Sequence, residues 1–315
     1  MNRLRNGRLF WLMMFALAAS IFVAALKTKP NPEFPNGGAT LDVSDWSFRK
    51  SIVISNSGPQ QLELDLDVLA NAQRDFSDLR LMRQGEQIPY LLESGSIQRF
   101  LAPDVTNTND PKNPTVSRWI IHLPRPHLPV TELRCESPTV LFERDMSLSE
   151  IAIEADRGDT YPRMLAHQTW TKTPGSVAKV FTLALNSAPF TDTLVLEAHN
   201  GDNPSIQLDN FRIGYTTTRI FFEANAGDEL FLYYGNPSVN VPHYDLSLVS
   251  TQLRSVNKSN AVLGAEERLK KPWGAIGVSG RVGRQVFWGI LALVVVALLV
   301  VIARLLPKSE GQPPK

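Results

Sequence analysis

Apolar and polar residues alternate along most of the chain between residues 45 and 257. Leu62–Val68 reads Leu-Glu-Leu-Asp-Leu-Asp-Val, an alternation of period two that predicts a strand with one face in a core and one in water. Residues 79–92 predict two strands joined at Gly85. Further strands are predicted at 46–54, 119–123, 149–154, 180–185, 193–197 and 210–215, with a closing hairpin at 220–234.

Helical periodicity is almost absent from this part of the chain, and one short helix is predicted at 258–271. Short strands separated by regular turn signals predict β-sandwiches. We therefore expect an all-β fold with two β-sandwich domains, at 45–131 and 132–257.

The N-terminal segment carries the pattern of an export signal. Residues 9–26 are uncharged and apolar, and they follow three arginines. Segment 1–26 is therefore predicted to be either a cleaved signal peptide or a retained signal anchor. Residues 27–44 contain prolines and glycines and are predicted to be a linker.

A second apolar segment lies near the other end. Residues 286–303 carry no charge, with aromatic residues at one edge and Arg304 at the other. This predicts a transmembrane helix at 286–305, preceded by a juxtamembrane segment at 258–285 and followed by a cytoplasmic tail at 306–315. A buried core helix is the alternative. The N-terminal arginines place the body outside the cytoplasm, although the basic residues around the second segment favour the opposite orientation.

Composition adds two exclusions. The net charge is +1, from 32 basic and 31 acidic residues, so no basic face for nucleic acid is indicated. The single cysteine, Cys135, cannot form an intramolecular disulfide, and its strand-like context predicts a small buried hydrophobic residue.

The most polar short stretch reads Glu-Ala-His-Asn-Gly-Asp-Asn-Pro from Glu197 to Pro204. Asn, Gly and Asp tolerate positive φ, so a turn between strands at 193–197 and 205–208 explains it without a ligand. The alternative is a ligand loop with His199, Asp202 and Asn203 as candidates. Asp202 and Asn203, with Asp209, carry the oxygens that Ca²⁺ favours, but their spacing matches no known calcium loop, and no cofactor is otherwise predicted.

No catalytic motif is present in the sequence. The five histidines lack the spacing of a zinc site, and there is no nucleophile elbow, P-loop or dinucleotide-binding fingerprint. The aromatic pairs at 221–222 and 233–234 are candidates for a sugar platform, although neighbouring positions on a strand point to opposite faces, so at least half of these rings are expected in the core. We expect a protein that is not an enzyme.

Two resemblances refine these expectations. Residues 151–165, with a strand, an acidic-glycine turn and an aromatic, resemble the discoidin-like, galactose-binding-like jelly roll. This resemblance implies a jelly-roll-like second domain and adds Asp156, Asp159 and Tyr161 to the ligand-binding candidates. Arg157-Gly158-Asp159 also spells an adhesion tripeptide, which arises often by chance.

A larger part of the chain resembles a family of bacterial exported proteins called domain of unknown function 3999. The matching segments are DWSFRKSIVI, FSDLRLMRQGEQIPYLLE, EAHNGDNPSIQLDNFRIGY and DELFLYYGNPSVNVPHYDLSLV, followed by the C-terminal apolar helix. The resemblance implies a β-protein in the periplasm, tethered to the inner membrane of a bacterium by one or two spans. It implies no activity.

Three functions follow as hypotheses. The first is a non-catalytic scaffold or interaction subunit of an envelope assembly, with an integral membrane protein as partner. The second is a glycan-binding module for envelope or exported polysaccharide, and the third is an envelope hydrolase, since fold alone does not exclude chemistry.

Overall fold

The computed structural model describes residues 34–35, 37–93, 95–153, 159–176, 180–269 and 281–305, with side chains in the last range described at 288–299 and 302. The predicted signal segment 1–26 and tail 306–315 lie outside these residues. The chain divides into two compact units between Leu269 and Lys270.

The regular secondary structure of the first unit is mostly β-strand. Those of the first half are β1 (Phe48–Val53), β2 (Gly58–Glu63), β3 (Arg80–Arg83), β4 (Glu86–Gln87), β5 (Tyr90–Leu92), β6 (Ile97–Leu101), β7 (Asp104–Asn107), β8 (Val116–His122) and β9 (Val130–Glu136). Those of the second half are β10 (Phe142–Ile153), β11 (Thr160–Lys172), β12 (Val180–Ala184), β13 (Thr193–His199), β14 (Asp209–Thr217), β15 (Arg219–Ala224), β16 (Leu230–Tyr234), β17 (Ser259–Asn260) and β18 (Val262–Arg268).

Helices are short in this unit. In the described residues they are α1 (Leu66–Asn71), a 3₁₀ helix (Asp245–Val249) and α2 (Ser250–Ser255). The second unit contains α3 (Arg281–Leu305).

Four sheets form from these strands, and the predicted all-β sandwich fold is confirmed. Sheet A has the order β18-β1-β16-β3-β4, and sheet B has the order β17-β2-β15-β5. Sheet C has the order β12-β9-β14-β6, and sheet D has the order β11-β10-β13-β8-β7. Apart from the parallel pair β17–β2, the neighbouring strands are antiparallel.

The two pairs of sheets are nested in the chain. Strands β6 to β14 lie in sheets C and D, while the strands before and after them lie in sheets A and B. The second pair is therefore an insertion into the first. The division between the pairs does not coincide with the predicted boundary at residues 131 and 132, because β6 pairs with β14 and β8 pairs with β13 across it.

The predicted closing hairpin at 220–234 is wrong in its pairing. Both of its strands form, as β15 and β16, but β15 pairs with β2 and β5 in sheet B while β16 pairs with β1 and β3 in sheet A. The segment therefore passes from one sheet to the other, and its turn is closed by hydrogen bonds between Asn225 and Asp228.

One hydrophobic core contains buried side chains from all four sheets. Between sheets C and D, the Phe181 ring of β12 lies 5.2 Å from Phe142 of β10 and 5.3 Å from Trp170 of β11, measured between ring centroids. Cys135 on β9 is fully buried, as predicted, and burial raises the pKa of its thiol.

The strand predicted at Leu62–Val68 is replaced by the end of β2 and by α1. Asp65 caps the helix, since its carboxylate accepts a hydrogen bond from the Val68 amide at 3.2 Å. Val68 and Leu69 are buried, so the apolar positions point inward with helical spacing. The alternation of apolar and acidic residues continues from β2 into the first turn of α1, so the sequence pattern does not reveal where the helix begins.

The helix predicted at 258–271 is also wrong. Residues 262–268 form β18, which pairs with β1, and Gly264 lies where a Cβ atom would be 2.3 Å from Ser51 Oγ. At the edge of β1, this segment gains backbone hydrogen bonds and packing contacts with a neighbouring strand. This gain in free energy exceeds the small helix preference of Glu-Glu-Arg-Leu.

The described part of the predicted linker packs against the first unit. The Leu41 amide donates to Gly85 O and the Gln87 amide donates to Ala39 O, each at 3.1 Å. Phe34 is buried in a small cluster with Phe221.

Helix α3 exposes its described side chains at 288–299 and 302. Among the residues that the structure describes, no helix meets the length and apolarity needed to cross a membrane. The transmembrane helix at 286–305 stays a prediction.

Candidate functional site

The turn predicted in the polar stretch 197–204 is confirmed. Gly201 has φ of +58°, and the Asn203 amide donates to Asn200 O at 3.1 Å. Asn200 is buried, with its side chain donating to Pro114 O and Ser117 Oγ at 3.0 and 2.8 Å. Residues 205–208 are not a strand, and the chain passes here from β13 in sheet D to β14 in sheet C.

The candidates in this turn are exposed. His199, Asp202 and Asn203 all face solvent, and Asn203 lines a cavity of about 210 Å³ together with Asn109 and Ser205. In the described part of the chain, no group of three or more His, Cys, Asp or Glu side chains is arranged to hold a metal ion. The geometry of the described residues therefore does not support calcium binding at Asp202, Asn203 and Asp209.

The other described candidates, Asp159 and Tyr161, lie away from this turn. Asp156 is outside the described residues, Asp159 is exposed, and Tyr161 on β11 is 43% exposed. Tyr161 pairs with Ala152 and His199 pairs with Asp145, which places them at opposite ends of β10. Seven residues of strand separate the two positions, roughly 23 Å. The structure therefore does not bring the described candidates together in one site.

The two aromatic pairs considered as a sugar platform belong to the interior. Phe221, Phe222, Tyr233 and Tyr234 are all buried. Tyr234 stacks on Phe48 with ring centroids 5.7 Å apart, and its hydroxyl donates to Glu266 at 2.7 Å. Burial and this hydrogen bond raise the pKa of the Tyr234 hydroxyl. These rings are therefore unavailable to a ligand.

An exposed aromatic lies instead on the outer side of sheet C. Phe100 on β6 is 41% exposed, and it pairs with Gly214 of β14, which in turn pairs with Glu132 of β9. In the neighbouring row, Arg212 pairs with Arg134. Directly paired residues share a face of the sheet. We call this set, with Gln98 two residues before Phe100, the sheet C face: Gln98, Phe100, Glu132, Arg134, Arg212 and Gly214.

Contacts hold the side chains of the sheet C face in place. The Arg134 guanidinium lies over the Phe100 ring, 4.4 Å from its centroid, and Arg134 Nη2 donates to Glu132 Oε1 at 2.8 Å. The same oxygen accepts from Gln98 Nε2 at 2.5 Å. An aromatic ring, a guanidinium, a carboxylate and an amide are thus fixed beside one another on one face of sheet C.

Gly214 makes this arrangement possible. A Cβ atom at this position would lie 2.6 Å from Glu132 Cγ and 3.1 Å from Phe100 Cε1. Only a residue without a side chain therefore lets Glu132 and Phe100 approach each other across β14.

No sequence pattern singled out Phe100 as a binding candidate. The segment Ile97–Leu101 has the alternation that predicts a strand, with Gln98 and Phe100 on the exposed side. That signal places Phe100 on an outer face, but it does not reveal Glu132 and Arg134, which are more than thirty residues away in sequence and adjacent only through β14.

A second polar cluster surrounds the buried side chain of Lys50. The buried Lys50 of β1 donates to Asp65 and Asp67 at 2.5 and 2.8 Å, and Arg125 Nε donates to Asp67 at 2.7 Å. Burial opposes ionisation of Asp67, but the hydrogen bonds from Lys50 and Arg125 outweigh it and lower the pKa of that carboxyl. Burial likewise opposes the charge of Lys50, and its two carboxylate partners nevertheless raise the pKa of the amine.

Known proteins show only weak similarity to this chain. No protein-family model matches the chain, and no curated protein matches it. It is similar to a family 11 carbohydrate-binding module from Clostridium thermocellum, solved in complex with a beta-1,3-1,4-mixed-linked tetrasaccharide, with 10% identity over 54% of this chain and 99% of that one. The TM-score is 0.19.

A second similarity is to the structure of infectious bursal disease virus, Gx strain. It has 9% identity and a TM-score of 0.17 over 77% of this chain and 72% of that one. Both scores are too low to establish a shared fold. Membership of the domain of unknown function 3999 family stays a prediction.

Proposed function

We propose that this protein binds carbohydrate without converting it, and that the sheet C face is the platform. The observation that carries the proposal is the pair formed by Phe100 and Arg134, with the ring 41% exposed and the guanidinium 4.4 Å from its centroid. A jelly-roll arrangement of sheets C and D, as the sequence predicts, is part of the same proposal.

The chemistry of a sugar matches these groups. One side of a pyranose ring presents C–H groups, which pack on an aromatic ring, and its rim presents hydroxyls that both donate and accept hydrogen bonds. Arg134 and Gln98 are planar donors, and Glu132 is an acceptor. Because these side chains already hold one another, binding orders few rotamers and loses little entropy.

Binding without hydrolysis is supported by the carboxylate content of the sheet C face. Glycoside hydrolases use a pair of carboxylates, whereas Glu132 is the single carboxylate among the residues that define this face. Glu132 already accepts two hydrogen bonds, from Gln98 and Arg134. Its carboxylate therefore acts as an acceptor in the platform.

Affinity electrophoresis of the full-length chain in mild detergent, with soluble neutral and acidic polysaccharides in the gel, tests the proposal. We expect retardation by at least one polysaccharide, with no release of reducing ends. Phe100→Ala should abolish the retardation. Tyr161→Ala is the matched control, because Tyr161 is equally exposed at 43% but lies on sheet D.

Loss of binding in Tyr161→Ala but not in Phe100→Ala would reject the sheet C face and favour the residues predicted from sequence. No retardation by any polysaccharide, or release of reducing ends, would reject the proposed function.

The second candidate is a scaffold tethered to the inner membrane, with its body in the periplasm and an integral membrane protein as partner. The observation that favours it is that the described side chains of α3, at 288–299 and 302, are apolar and exposed. Large exposed apolar surfaces mark contacts with membranes or with other proteins. The chain can serve both roles, since the platform and α3 belong to different units.

Membrane fractionation tests the tether. The full-length chain should remain with membranes after alkaline carbonate extraction, whereas a chain of residues 27–269, which lacks both apolar segments, should be released. One stoichiometric membrane protein should copurify with the full-length chain in mild detergent. Release of both chains by carbonate would reject the tether, and purification of the chain alone would reject the scaffold.

A further inference from the structure

A cavity of about 360 Å³ lies where the two pairs of sheets meet. Its walls come from Phe48 of β1, the end of α1, Gly235 after β16, and His127 in the loop between β8 and β9. We call it the junction cleft. Ligand pockets favour such positions between packed parts of a protein, and this volume suits a small molecule.

Two basic side chains, Arg74 and His127, line the junction cleft. In the part of the chain that the structure describes, no carboxylate forms an ion pair with either of them, whereas Arg125 and Arg163 nearby are paired with Asp67 and Glu150.

The acidic residue in the lining is already engaged. Asp78 is fully buried, and its oxygens accept from the amides of Gln73, Gly235 and Asn236 at 2.9, 2.6 and 3.1 Å. Backbone amides thus compensate the charge of Asp78, and the basic side chains that remain open in the cleft are Arg74 and His127.

The backbone at His127 is held in a conformation that residues other than glycine rarely adopt. Its φ is +59°, in the left-handed region. The loop is fixed on one side of His127 by the ion pair of Arg125 with Asp67 and on the other by Leu128, which is fully buried. Strain of this kind persists where the surrounding structure imposes it, and it concentrates at ligand sites. Here it places the imidazole at the cleft.

An exposed aromatic ring stands beside both basic groups. Phe190 is 40% exposed, with its centroid 5.6 Å from the Arg74 guanidinium carbon and 6.4 Å from the His127 ring. Phe48, Leu69 and Pro237 add apolar surface inside the cleft.

We propose that the junction cleft binds a small organic anion, with its carboxylate or phosphate between Arg74 and His127 and its apolar part against Phe48 and Leu69. Arg74 offers a planar fork of donors suited to either anionic group. This site is separate from the sheet C face and does not depend on carbohydrate binding.

Ligand-observed NMR on the full-length chain in mild detergent tests the proposal, with phenyl phosphate and benzoate as probes and benzamide as the uncharged comparison. We expect both anions, or one of them, to bind, and benzamide to bind at least about tenfold more weakly, as expected for loss of one charge-assisted hydrogen bond. The two anions distinguish phosphate from carboxylate recognition.

Two variants locate the binding. Arg74→Gln and His127→Asn should each weaken the anion about tenfold. Asparagine tolerates positive φ, so His127→Asn removes the imidazole while keeping the loop conformation. Lys112→Gln is the matched control, because it removes an exposed positive charge outside the cleft.

Equal binding of benzamide and the anions would overturn the proposal, as would unchanged affinity in both variants with their unfolding midpoints preserved. Absence of binding of either anion at millimolar concentration would overturn it as well. If a variant lowers the unfolding midpoint, the readout is instead the shift of the His127 imidazole NMR signals when the anion is added to the unsubstituted chain. No shift of those signals would overturn the proposal.

Discussion

Arg125 Nε lies 2.7 Å from Asp67 Oδ1, and this ion pair joins the loop between β8 and β9 to helix α1. It links the inserted pair of sheets to the pair that surrounds it. Asp67 also accepts a hydrogen bond from the buried Lys50. One carboxylate therefore pairs with an exposed guanidinium and with a buried amine.

The contact of Asp67 with Arg125 should contribute less to stability than its contact with Lys50. Arg125 is 47% exposed in its side chain, so Arg125→Ala should cost only about 0.5 kcal/mol of unfolding free energy. Asp67→Ala leaves the buried Lys50 with one carboxylate and should cost about 2 kcal/mol. Urea denaturation of both variants measures the difference. Equal costs would show that Asp65 alone satisfies Lys50.

The same carboxylate should make stability depend on pH. Its pKa is lowered in the folded state, so the stabilisation is complete above the ordinary aspartate value of about 4 and is lost as pH falls below it. Between pH 5 and pH 2 the unsubstituted chain should therefore lose more stability than Asp67→Asn. The comparison cancels the contributions of Glu63 and Glu150, whose pKa values are also lowered. Parallel pH profiles would contradict the prediction.

Glu150 should be the most costly single carboxylate to replace in sheet D. It is fully buried, pairs with Arg163, and accepts from the Thr191 amide and hydroxyl and the Phe190 amide, at 2.9 Å each. Glu150→Gln places an amide against these donors and should cost about 3 kcal/mol. Hydrogen exchange at the amides of residues 190 and 191 should accelerate.

The control for that substitution is Glu143→Gln on the same strand, where the side chain is exposed. It should change the unfolding free energy by less than about 0.5 kcal/mol. Unchanged exchange at residues 190 and 191 in Glu150→Gln would show that the loop is held by other contacts.

Gly214→Ala should destabilise the protein through a steric clash. Its Cβ would lie 2.6 Å from Glu132 Cγ, so Glu132 must move, at a cost of about 1–3 kcal/mol. In a Glu132→Ala background the cost should be smaller. Gly37→Ala is the control, since no atom lies within 4 Å of the Cβ site there. Thermal denaturation measures all four variants, and equal costs in both backgrounds would rule out Glu132 as the source.

Cys135 should be unreactive in the folded protein. Burial raises the pKa of its thiol, so the reactive thiolate does not form at neutral pH. The side chain is also fully buried, so a reagent cannot reach the sulfur atom. A maleimide reagent at pH 7 should label the chain only after addition of urea. Rapid labelling of the native chain would mean that β9 opens readily.

Local signals in the sequence were sufficient for several elements. The turn at Gly85 and the turn at 200–203 follow from glycine, asparagine and aspartate residues, which tolerate positive φ. The alternation along β13 and the burial of Cys135 follow in the same way. These features depend on interactions within a few residues of the chain.

The sequence was misleading where two local signals compete. Asp65 is one polar member of an alternating run and is also the cap of α1. Residues 262–268 favour a helix by propensity, yet they form β18 because the edge of β1 offers backbone partners more than two hundred residues away. Only the tertiary contact decides between such alternatives, because the local free-energy differences are about 1 kcal/mol or less per residue.

The sequence by itself therefore determined that this chain is an all-β protein and placed several of its strands, among them β1, β8, β13 and β14, because periodicity and turn chemistry are local. The tertiary structure decided which sheet each strand joins, that one pair of sheets is inserted into the other, and that Phe100, Glu132 and Arg134 share a face. Those outcomes depend on antiparallel pairing between distant strands, such as β6 with β14 and β14 with β9. Strand alternation specifies which side chains point inward, but it carries no information about which strand lies alongside.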